Sequence, residues 1–245
     1  MKYIFLLVSV YLVFCAGGCH AQERGNEKTK PDSIYTYGKA SPGGIGKFYF
    51  GREIAHVMGA SGSDWLEREQ RPGEENTQLA IEKMDISPGD VLADIGAGTG
   101  YYSFKLAGKV PRGKVYAVDI QDEMIAHLQN KKAALHSRNV EIIKGDTLSP
   151  NLPPGALDFA IMVDVYHELE YPHEMLQSIK KSLKKDGKIL LMEYKGEDPE
   201  VRIKPLHKTT VQQLNKELAA NGFRLFYQYD GLPIQHLLMY EQVDQ

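Results

Sequence analysis

The residues of this chain whose types and spacing could do chemistry begin with Asp94, which alternating glycines follow at Gly96, Gly98 and Gly100. Glycine is favoured where a backbone turns sharply or lets a ligand touch the main chain. The apolar run 91–95 before the loop is typical of a strand buried on both faces, and helix-compatible residues follow the loop. This order of strand, glycine loop and helix predicts a nucleotide-binding crevice at the carboxyl end of a strand.

Two common phosphate-binding loops do not fit this spacing. The dinucleotide fingerprint G-x-G-x-x-G needs a third glycine where this chain has Tyr101. No Gly-Lys-Ser/Thr follows, so the loop is not a P-loop either. An NAD(P)-dependent oxidoreductase is therefore disfavoured, although it stays as one alternative.

Further carboxylates end the apolar runs that follow. Asp119 lies 25 positions after Asp94, where an acidic side chain accepts hydrogen bonds from both ribose hydroxyls in the related dinucleotide folds. Asp146 ends the next run directly after Gly145, and Asp164 ends the run after that. A surface cap is the structural alternative for Asp119, and an Asx turn is the alternative for Asp146.

Three histidines are the candidate catalytic side chains beside Asp164. Histidine changes charge near neutral pH, so His167 is a candidate general base, with a cap on the next helix as its alternative. His207 and His236 are predicted to converge with His167 in the crevice, although they lie far apart in sequence. No H-x-x-x-H spacing links these residues, so no metal is expected. Instead, we expect the histidines to form hydrogen bonds to a polar acceptor or to the backbone of the strands.

The elements that must hold these residues alternate along the chain. The predicted strands cover 91–95, 114–120, 139–147, 157–164, 185–194, 223–229 and 237–240, and the clearest helices cover 77–84, 172–185 and 209–221. Strands that alternate with helices favour an α/β fold with a largely parallel sheet.

The motifs in this order resemble those of class I S-adenosylmethionine (SAM) methyltransferases. Asp94-Ile-Gly-Ala-Gly-Thr-Gly100 resembles the first motif of that family, Asp119 the second, Gly145-Asp146 the third, and Asp186-Gly187 before an apolar strand the late motif. The resemblance covers about residues 46–243 and is strongest to the quinone and small-molecule type. It implies a Rossmann-like seven-stranded sheet, parallel with an antiparallel closing strand and flanked by helices, plus an N-terminal helical lid.

The resemblance also implies a cofactor and its contacts. SAM carries no phosphate, so the glycine loop would approach its sugar and amino acid parts, and Asp94 would hold the ammonium end directly or through water. Asp146 would read the adenine amino group. The implied cofactor-binding residues all lie at or just after strand ends: Asp94, Gly96, Ala97, Gly98, Gly100, Asp119, Ile120, Met124, Gly145, Asp146, Thr147 and Asp164. The implied reaction transfers a methyl group to a small-molecule acceptor.

The sequence at the amino end predicts that the protein is exported from the cytosol. Lys2 precedes an apolar run of about 14 residues, which is too short to span a membrane and typical of a signal peptide. Small residues before Cys19 resemble a bacterial lipoprotein cleavage site, with ordinary cleavage or an uncleaved anchor as alternatives. Residues 1–19 are thus predicted as a leader, and the location as the periplasm or a lipid-anchored place in the bacterial envelope.

The polar segment 20–45 is predicted as a flexible tether, and 46–245 as the methyltransferase domain. A helical stripe through Ile54, Val57 and Met58 predicts a helix within the lid, residues 46–84. The candidate lid contacts are Arg52, Trp65, Arg68 and Glu75, with a surface of ion pairs as their structural alternative.

Composition further limits the classes of partner and the cross-links that we expect. The formal net charge is −3, and no block of lysine and arginine stands out, so a nucleic acid partner is not expected. Both cysteines, Cys15 and Cys19, fall in the leader, so no internal disulfide is expected. SAM is made in the cytosol, away from an exported protein. The second alternative is therefore a non-catalytic envelope protein that keeps the nucleoside-binding fold.

Overall fold

The computed structural model describes residues 34–243, which begin with a small antiparallel sheet. It consists of β1 (Tyr35–Tyr37), β2 (Gly44–Tyr49) and β3 (Arg52–Ala55), in the order β1-β2-β3. Tyr35, Tyr49 and Ile54 are buried in a core of its own. The predicted tether therefore ends too late, because the folded unit already includes residue 35. The predicted leader, Cys19 and the rest of the tether lie outside the described residues.

The hairpin β2–β3 corrects the helix that the stripe 54–58 predicted. Tyr49 pairs with Arg52, so the loop is the two residues Phe50 and Gly51, and both have positive φ angles, 49° and 93°. Such a loop matches the right-handed twist of the flanking strands and closes a hairpin tightly. The apolar residues at helical spacing thus belong to a strand and to the loop that follows it.

Three short helices complete the N-terminal segment, so the lid is a hairpin followed by helices. They are α1 (Ser63–Leu66), α2 (Arg71–Glu75) and α3 (Thr77–Lys83). The side chain of Asn76 accepts a hydrogen bond from the backbone nitrogen of Leu79 and so caps the amino end of α3.

A seven-stranded sheet forms the centre of the fold. Its strands and the short strand beside it are β4 (Val91–Ile95), β5 (Lys114–Asp119), β6 (Val140–Lys144), β7 (Leu157–Val163), β8 (Leu183–Lys195), β9 (Lys208–Thr209), β10 (Phe223–Tyr229) and β11 (Gln235–Gln242). The order across the sheet is β6-β5-β4-β7-β8-β11-β10, and β9 pairs with β8 off this path. Strands β4 to β8 run parallel, whereas β11 is antiparallel to both β8 and β10. The predicted sheet, with its antiparallel closing strand, is confirmed.

Helices cover both faces of the sheet. They are α4 (Tyr101–Lys109), α5 (Asp122–Ala134), α6 (Pro172–Ser182) and α7 (Val211–Ala219). Leu92 and Ala93 are neighbours on β4 yet belong to different apolar clusters, because successive side chains of a strand point to opposite faces. Within residues 34–243, no helix combines the length and apolar character needed to cross a membrane.

The strand order places a crevice beside β4. The chain passes from β4 to β5 on one side and reaches β7 on the other, which makes the carboxyl end of β4 a topological switch point. Ligands of open α/β sheets bind outside the strand ends at such a point. The glycine loop after β4 lies at this position.

Candidate functional site

One cavity of about 720 Å³ lies at the carboxyl ends of β4 to β8. The N-terminal segment supplies part of its wall through Met58, Trp65 and Leu66. Among the implied cofactor-binding residues, those that line it are Gly96, Gly98, Asp119, Ile120, Met124, Gly145, Asp146, Thr147 and Asp164. The cavity has the size of a pocket for a cofactor with a small ligand beside it.

The glycine loop needs glycine at the two positions that line the cavity. Gly96 and Gly98 have φ angles of 75° and 55°, in the left-handed region. A Cβ at Gly96 would approach Val165 to 2.6 Å, and a Cβ at Gly98 would approach Leu66 to 2.7 Å. Any side chain here would therefore be strained and would collide with the residues around the crevice.

Ala97, Gly100 and Asp94 were implied as contacts but lie outside the cavity lining. The backbone nitrogen of Ala97 donates to Val118 O at 2.9 Å, which fastens the loop to β5. Gly100 caps α4. The Asp94 carboxylate accepts a hydrogen bond from Ser103 Oγ at 2.6 Å, behind the loop, and burial raises its pKa to about 6. These three residues thus shape the loop and join β4 to α4.

Asp119 occupies the position that the second motif predicts, at the end of β5. Its Oδ2 accepts from the backbone nitrogen of Gly98 at 2.9 Å, and its Oδ1 accepts from that of Gln121 at 2.9 Å. Burial raises the pKa of this carboxyl, against the opposing effect of these backbone donors. A buried carboxylate on the cavity wall can accept hydrogen bonds from the hydroxyls of a bound ribose.

Asp146 joins the far end of the cavity, but its carboxylate is engaged in the loop after β6. Oδ1 accepts from the backbone nitrogens of Leu148 and Ser149, both at 2.8 Å, so the Asx-turn alternative describes the side chain. Gly145, Asp146 and Thr147 nevertheless line the cavity. A purine amino group there would meet the backbone and Oδ2 rather than Oδ1.

Asp164 carries a buried oxygen that no described residue satisfies. Its Oδ2 accepts from Gln235 Nε2 at 2.8 Å, whereas its Oδ1 is buried without a hydrogen-bond partner in the described chain. Burial, together with the charges of Glu75 and Glu193, holds the pKa of Asp164 well above its usual range. An acceptor that is buried on a cavity wall without a partner can take a hydrogen bond from a ligand that carries a donor.

A cluster of titratable side chains lies beside Asp164. His167 Nε2 is 3.0 Å from His207 Nδ1, and Glu168 Oε1 is 3.3 Å from that same atom. On its other side, His167 Nδ1 is 2.6 Å from Glu193 Oε2. Burial disfavours the charge of His167, but the carboxylates around it prevail and hold its pKa above the ordinary value. The predicted convergence of His167 with His207 is confirmed, and both line the cavity.

His236 does not join this cluster, which corrects the third predicted partner. It lies on β11, and its Nε2 is 2.8 Å from Glu197 Oε2. His236 is absent from the cavity lining. The strand was predicted correctly, but the side chain of His236 bonds to Glu197 in the loop after β8.

The four candidate lid contacts differ in whether their side chains line the cavity. Trp65 lines the cavity, is 46% exposed, and stacks against Arg68, whose Cζ lies 3.8 Å from the ring centre. Arg68 also pairs with Glu75 at 2.8 Å. Arg52 forms a bidentate pair with Glu217, with both distances 2.8 Å, so it supports the fold instead of lining the cavity.

The sequence did not predict the contacts that fasten the N-terminal segment over the crevice. Gln121 Nε2 donates to Met58 O at 3.0 Å, and the backbone nitrogen of Met58 donates to Glu168 Oε2 at 3.2 Å. Arg71, Arg202 and Lys204 also line the cavity. No local pattern marks these residues, because their role depends on contacts between distant segments.

Comparisons with known proteins agree with this geometry. Residues 93–189 match a family described as a methyltransferase domain. A demethylmenaquinone methyltransferase from Bacillus mycoides is 28% identical over 111 residues, which are 45% of this chain and 47% of that protein. The chain thus matches about half the length of this curated relative.

Solved structures resemble about three quarters of the chain. A SAM-dependent methyltransferase from Aquifex aeolicus has a TM-score of 0.72 at 24% identity, over 76% of this chain and 100% of that one. An O-methyltransferase from neocarzinostatin biosynthesis, solved with S-adenosylhomocysteine and 1,4-dihydroxy-2-naphthoic acid, has a TM-score of 0.64 at 13% identity. It covers 75% of this chain and 58% of that one.

Residues 93–189 therefore match a methyltransferase domain, the sheet around them has the fold of SAM-dependent methyltransferases, and the cofactor that these findings support is SAM.

Proposed function

We propose that the protein transfers the methyl group of SAM to a small-molecule acceptor bound in the same cavity. The observation that carries this proposal is the continuity of that cavity. Asp119 and the glycine loop line one part of it, and His167, Glu168 and His207 line another. A cofactor held by the first part and an acceptor held by the second would meet beside Asp164.

Each part of the crevice has a distinct task in this proposal. Asp119 accepts from the ribose hydroxyls, and the bare backbone at Gly96 and Gly98 lets the cofactor lie close to β4. Asp164 Oδ1 accepts from the ammonium group. SAM supplies a methyl group already activated on a sulfonium, so the chain contributes mainly orientation and the exclusion of water.

The acceptor is proposed to be small and to combine an apolar body with a polar reacting group. Met58, Leu169 and Ile203 provide apolar surface in the cavity, whereas the histidine cluster provides polar atoms. The curated relative is named for the methylation of demethylmenaquinone. A cyclic oxygen-bearing acceptor is therefore the first class to test.

Titration calorimetry tests the cofactor part. SAM should bind to the purified full chain with one site, and NAD⁺ should not. Binding of NAD⁺ alone would favour an oxidoreductase instead, and binding of neither would favour the non-catalytic alternative. Transfer of labelled methyl from SAM to candidate quinols then tests the reaction itself.

The place of the reaction is proposed to be the bacterial envelope, on the basis of the apolar run and the small residues before Cys19. If Cys19 is lipidated, the expressed protein should incorporate labelled fatty acid and partition into detergent. Cys19→Ser should remove the label. A label that persists in the variant, or is absent from both proteins, would argue for simple anchoring or ordinary secretion.

A further inference from the structure

Three potential metal ligands from two separate turns converge at the acceptor end of the cavity. They are His167 Nε2, His207 Nδ1 and Glu168 Oε1. His167 and Glu168 lie on the turn after β7, and His207 lies on the turn before β9. We propose that these three side chains bind a divalent transition-metal ion, which holds the reacting oxygen of the methyl acceptor.

The spacing of the three atoms fits one ion. The two imidazole nitrogens are 3.0 Å apart, and Glu168 Oε1 is 3.3 Å from His207 Nδ1 and 3.8 Å from His167 Nε2. Ligands at about 2.0–2.2 Å from one ion are separated by roughly 2.8–3.1 Å at the right angles of an octahedron and by roughly 3.3–3.6 Å in a tetrahedron. A tetrahedral site would require the longest of the three distances to shorten by about 0.2 Å and the shortest to lengthen by about 0.3 Å.

The surrounding contacts orient each ligand toward that common point. His167 Nδ1 bonds to Glu193 Oε2 at 2.6 Å, and Glu193 Oε1 accepts from the backbone nitrogens of Val165 and Tyr166. Because both oxygens of Glu193 accept hydrogen bonds, Nδ1 carries a proton, and Nε2 is the nitrogen left for an ion, which would displace any proton held there. A carboxylate behind a ligating histidine is a usual feature of metal sites.

Glu168 is oriented in a similar way. Its Oε2 accepts from the backbone nitrogen of Met58 at 3.2 Å, which leaves Oε1 directed to the histidines. The ligand set is thus held from the N-terminal segment as well as from β8. A bound ion would therefore tie the segment that covers the crevice to the acceptor site.

The donor set selects the kind of metal. Two imidazoles with one carboxylate suit Zn²⁺ or Fe²⁺, whereas Mg²⁺ and Ca²⁺ prefer oxygen ligands throughout. Three protein ligands leave at least one coordination position open, as in catalytic zinc sites. All three ligands line the cavity, so the open position is accessible from it.

This inference rests on the proposed methyl transfer and names its acceptor class, an oxygen nucleophile. A hydroxyl bound to the ion has a lowered pKa and loses its proton to water. The oxygen's electron pair then bonds to the methyl carbon, while the carbon–sulfur bond breaks and its pair stays on sulfur. The products are a methyl ether and S-adenosylhomocysteine, and His167 serves as a ligand instead of a free base.

Titration of Zn²⁺ into the full chain, purified without a histidine tag and freed of metal by a chelator, tests the site. We expect one ion per chain. His207→Ala and Glu168→Gln should each weaken binding at least tenfold, and Glu193→Gln should weaken it by about 10- to 100-fold. His127→Ala is the matched control, since His127 is exposed on α5. It should bind Zn²⁺ like the wild type, and excess Mg²⁺ should not compete.

Two results would overturn the site: equal Zn²⁺ affinity in His207→Ala and the wild type, or displacement of Zn²⁺ by Mg²⁺. His207 and Glu168 both reach the cavity surface, so these variants should keep the fold, which circular dichroism can check. A SAM titration on the same samples separates the two proposals. Zn²⁺ binding without SAM binding would refute methyl transfer alone, and SAM binding without His207-dependent Zn²⁺ would refute the metal alone.

Discussion

Asp119 Oδ2 accepts a hydrogen bond from the backbone nitrogen of Gly98 at 2.9 Å, so the carboxylate at the end of β5 holds the glycine loop that follows β4. Two motifs that lie 21 positions apart thus form one surface. A ligand that bonds to this carboxylate must also lie against the bare backbone of the loop.

Asp119→Ala should therefore weaken SAM binding while the domain stays folded. Loss of hydrogen bonds to a charged acceptor costs about 1.5–3 kcal/mol, or roughly ten- to a hundredfold in affinity. Calorimetric titration measures it. Asp122→Ala is the matched control, because Asp122 is exposed and pairs only with an exposed lysine, Lys144. Equal SAM affinity in Asp119→Ala and the wild type would remove Asp119 from the cofactor site.

Asp164→Asn should change stability and cofactor affinity in opposite directions. The φ angle of residue 164 is 54°, which asparagine tolerates, and the amide oxygen can still accept from Gln235. Without the charge, repulsion from Glu75 and Glu193 disappears, so the melting temperature of the ligand-free protein should rise by about 2–4 °C. SAM affinity should fall about tenfold or more, because the ammonium loses its charged acceptor. A parallel fall in both quantities would instead indicate a purely structural role.

Asp94→Asn should alter the pH dependence of stability. The pKa of Asp94 is about 6 in the folded protein, above the ordinary value of 3.8, so its contribution is fully present below about pH 4 and is lost as the pH rises through 6. The variant has no such loss. Its stability relative to the wild type should therefore improve by about 2 kcal/mol between about pH 4 and pH 7. Urea unfolding at both pH values measures this difference, and a constant difference would contradict the assignment.

Arg52→Met should destabilise the fold strongly. Arg52 and Glu217 form a buried pair, and removal of one partner leaves a buried charge, at a cost of about 3–5 kcal/mol. Arg224→Met is the control, because the Arg224 side chain of the pair with Glu241 is 70% exposed, and it should change stability by at most about 1 kcal/mol. The double variant Arg52→Met/Glu217→Gln should recover part of the loss. Equal effects of the two single variants in thermal unfolding would show that the Arg52 pair contributes no more than a surface pair.

The central sheet could be predicted because its signals are local. Apolar runs, turn residues and strand-ending carboxylates lie within a few residues of one another, as at Asp119. The N-terminal hairpin could not, since its turn is Phe50–Gly51 instead of the usual Asn-Gly or Asp-Gly. Residues at helical spacing, such as Ile54 and Met58, therefore supported the wrong element.

The proposed cofactor half of the cavity could be located from the sequence for the same reason, whereas the proposed acceptor half could be located only in part. Cofactor residues follow strand ends, whose position in a parallel sheet is known once the order is known. The approach of His207 to His167 depends on the pairing of β9 with β8, which no local pattern indicates. His236 lies on β11, which also pairs with β8, but its side chain bonds to Glu197 instead of lining the crevice.

The hairpin and α7 are bound together although they lie far apart in the sequence. Phe50 O accepts from Gln213 Nε2 and Lys216 Nζ, and Arg52 bonds to a glutamate 165 positions later. Closing a loop of this length is slow compared with local folding. During synthesis on the ribosome, β1 to β3 therefore cannot form these contacts until α7 has been made. The native contacts of the hairpin are complete only after α7 is available, so a chain cut before α7 should not hold its amino end in place.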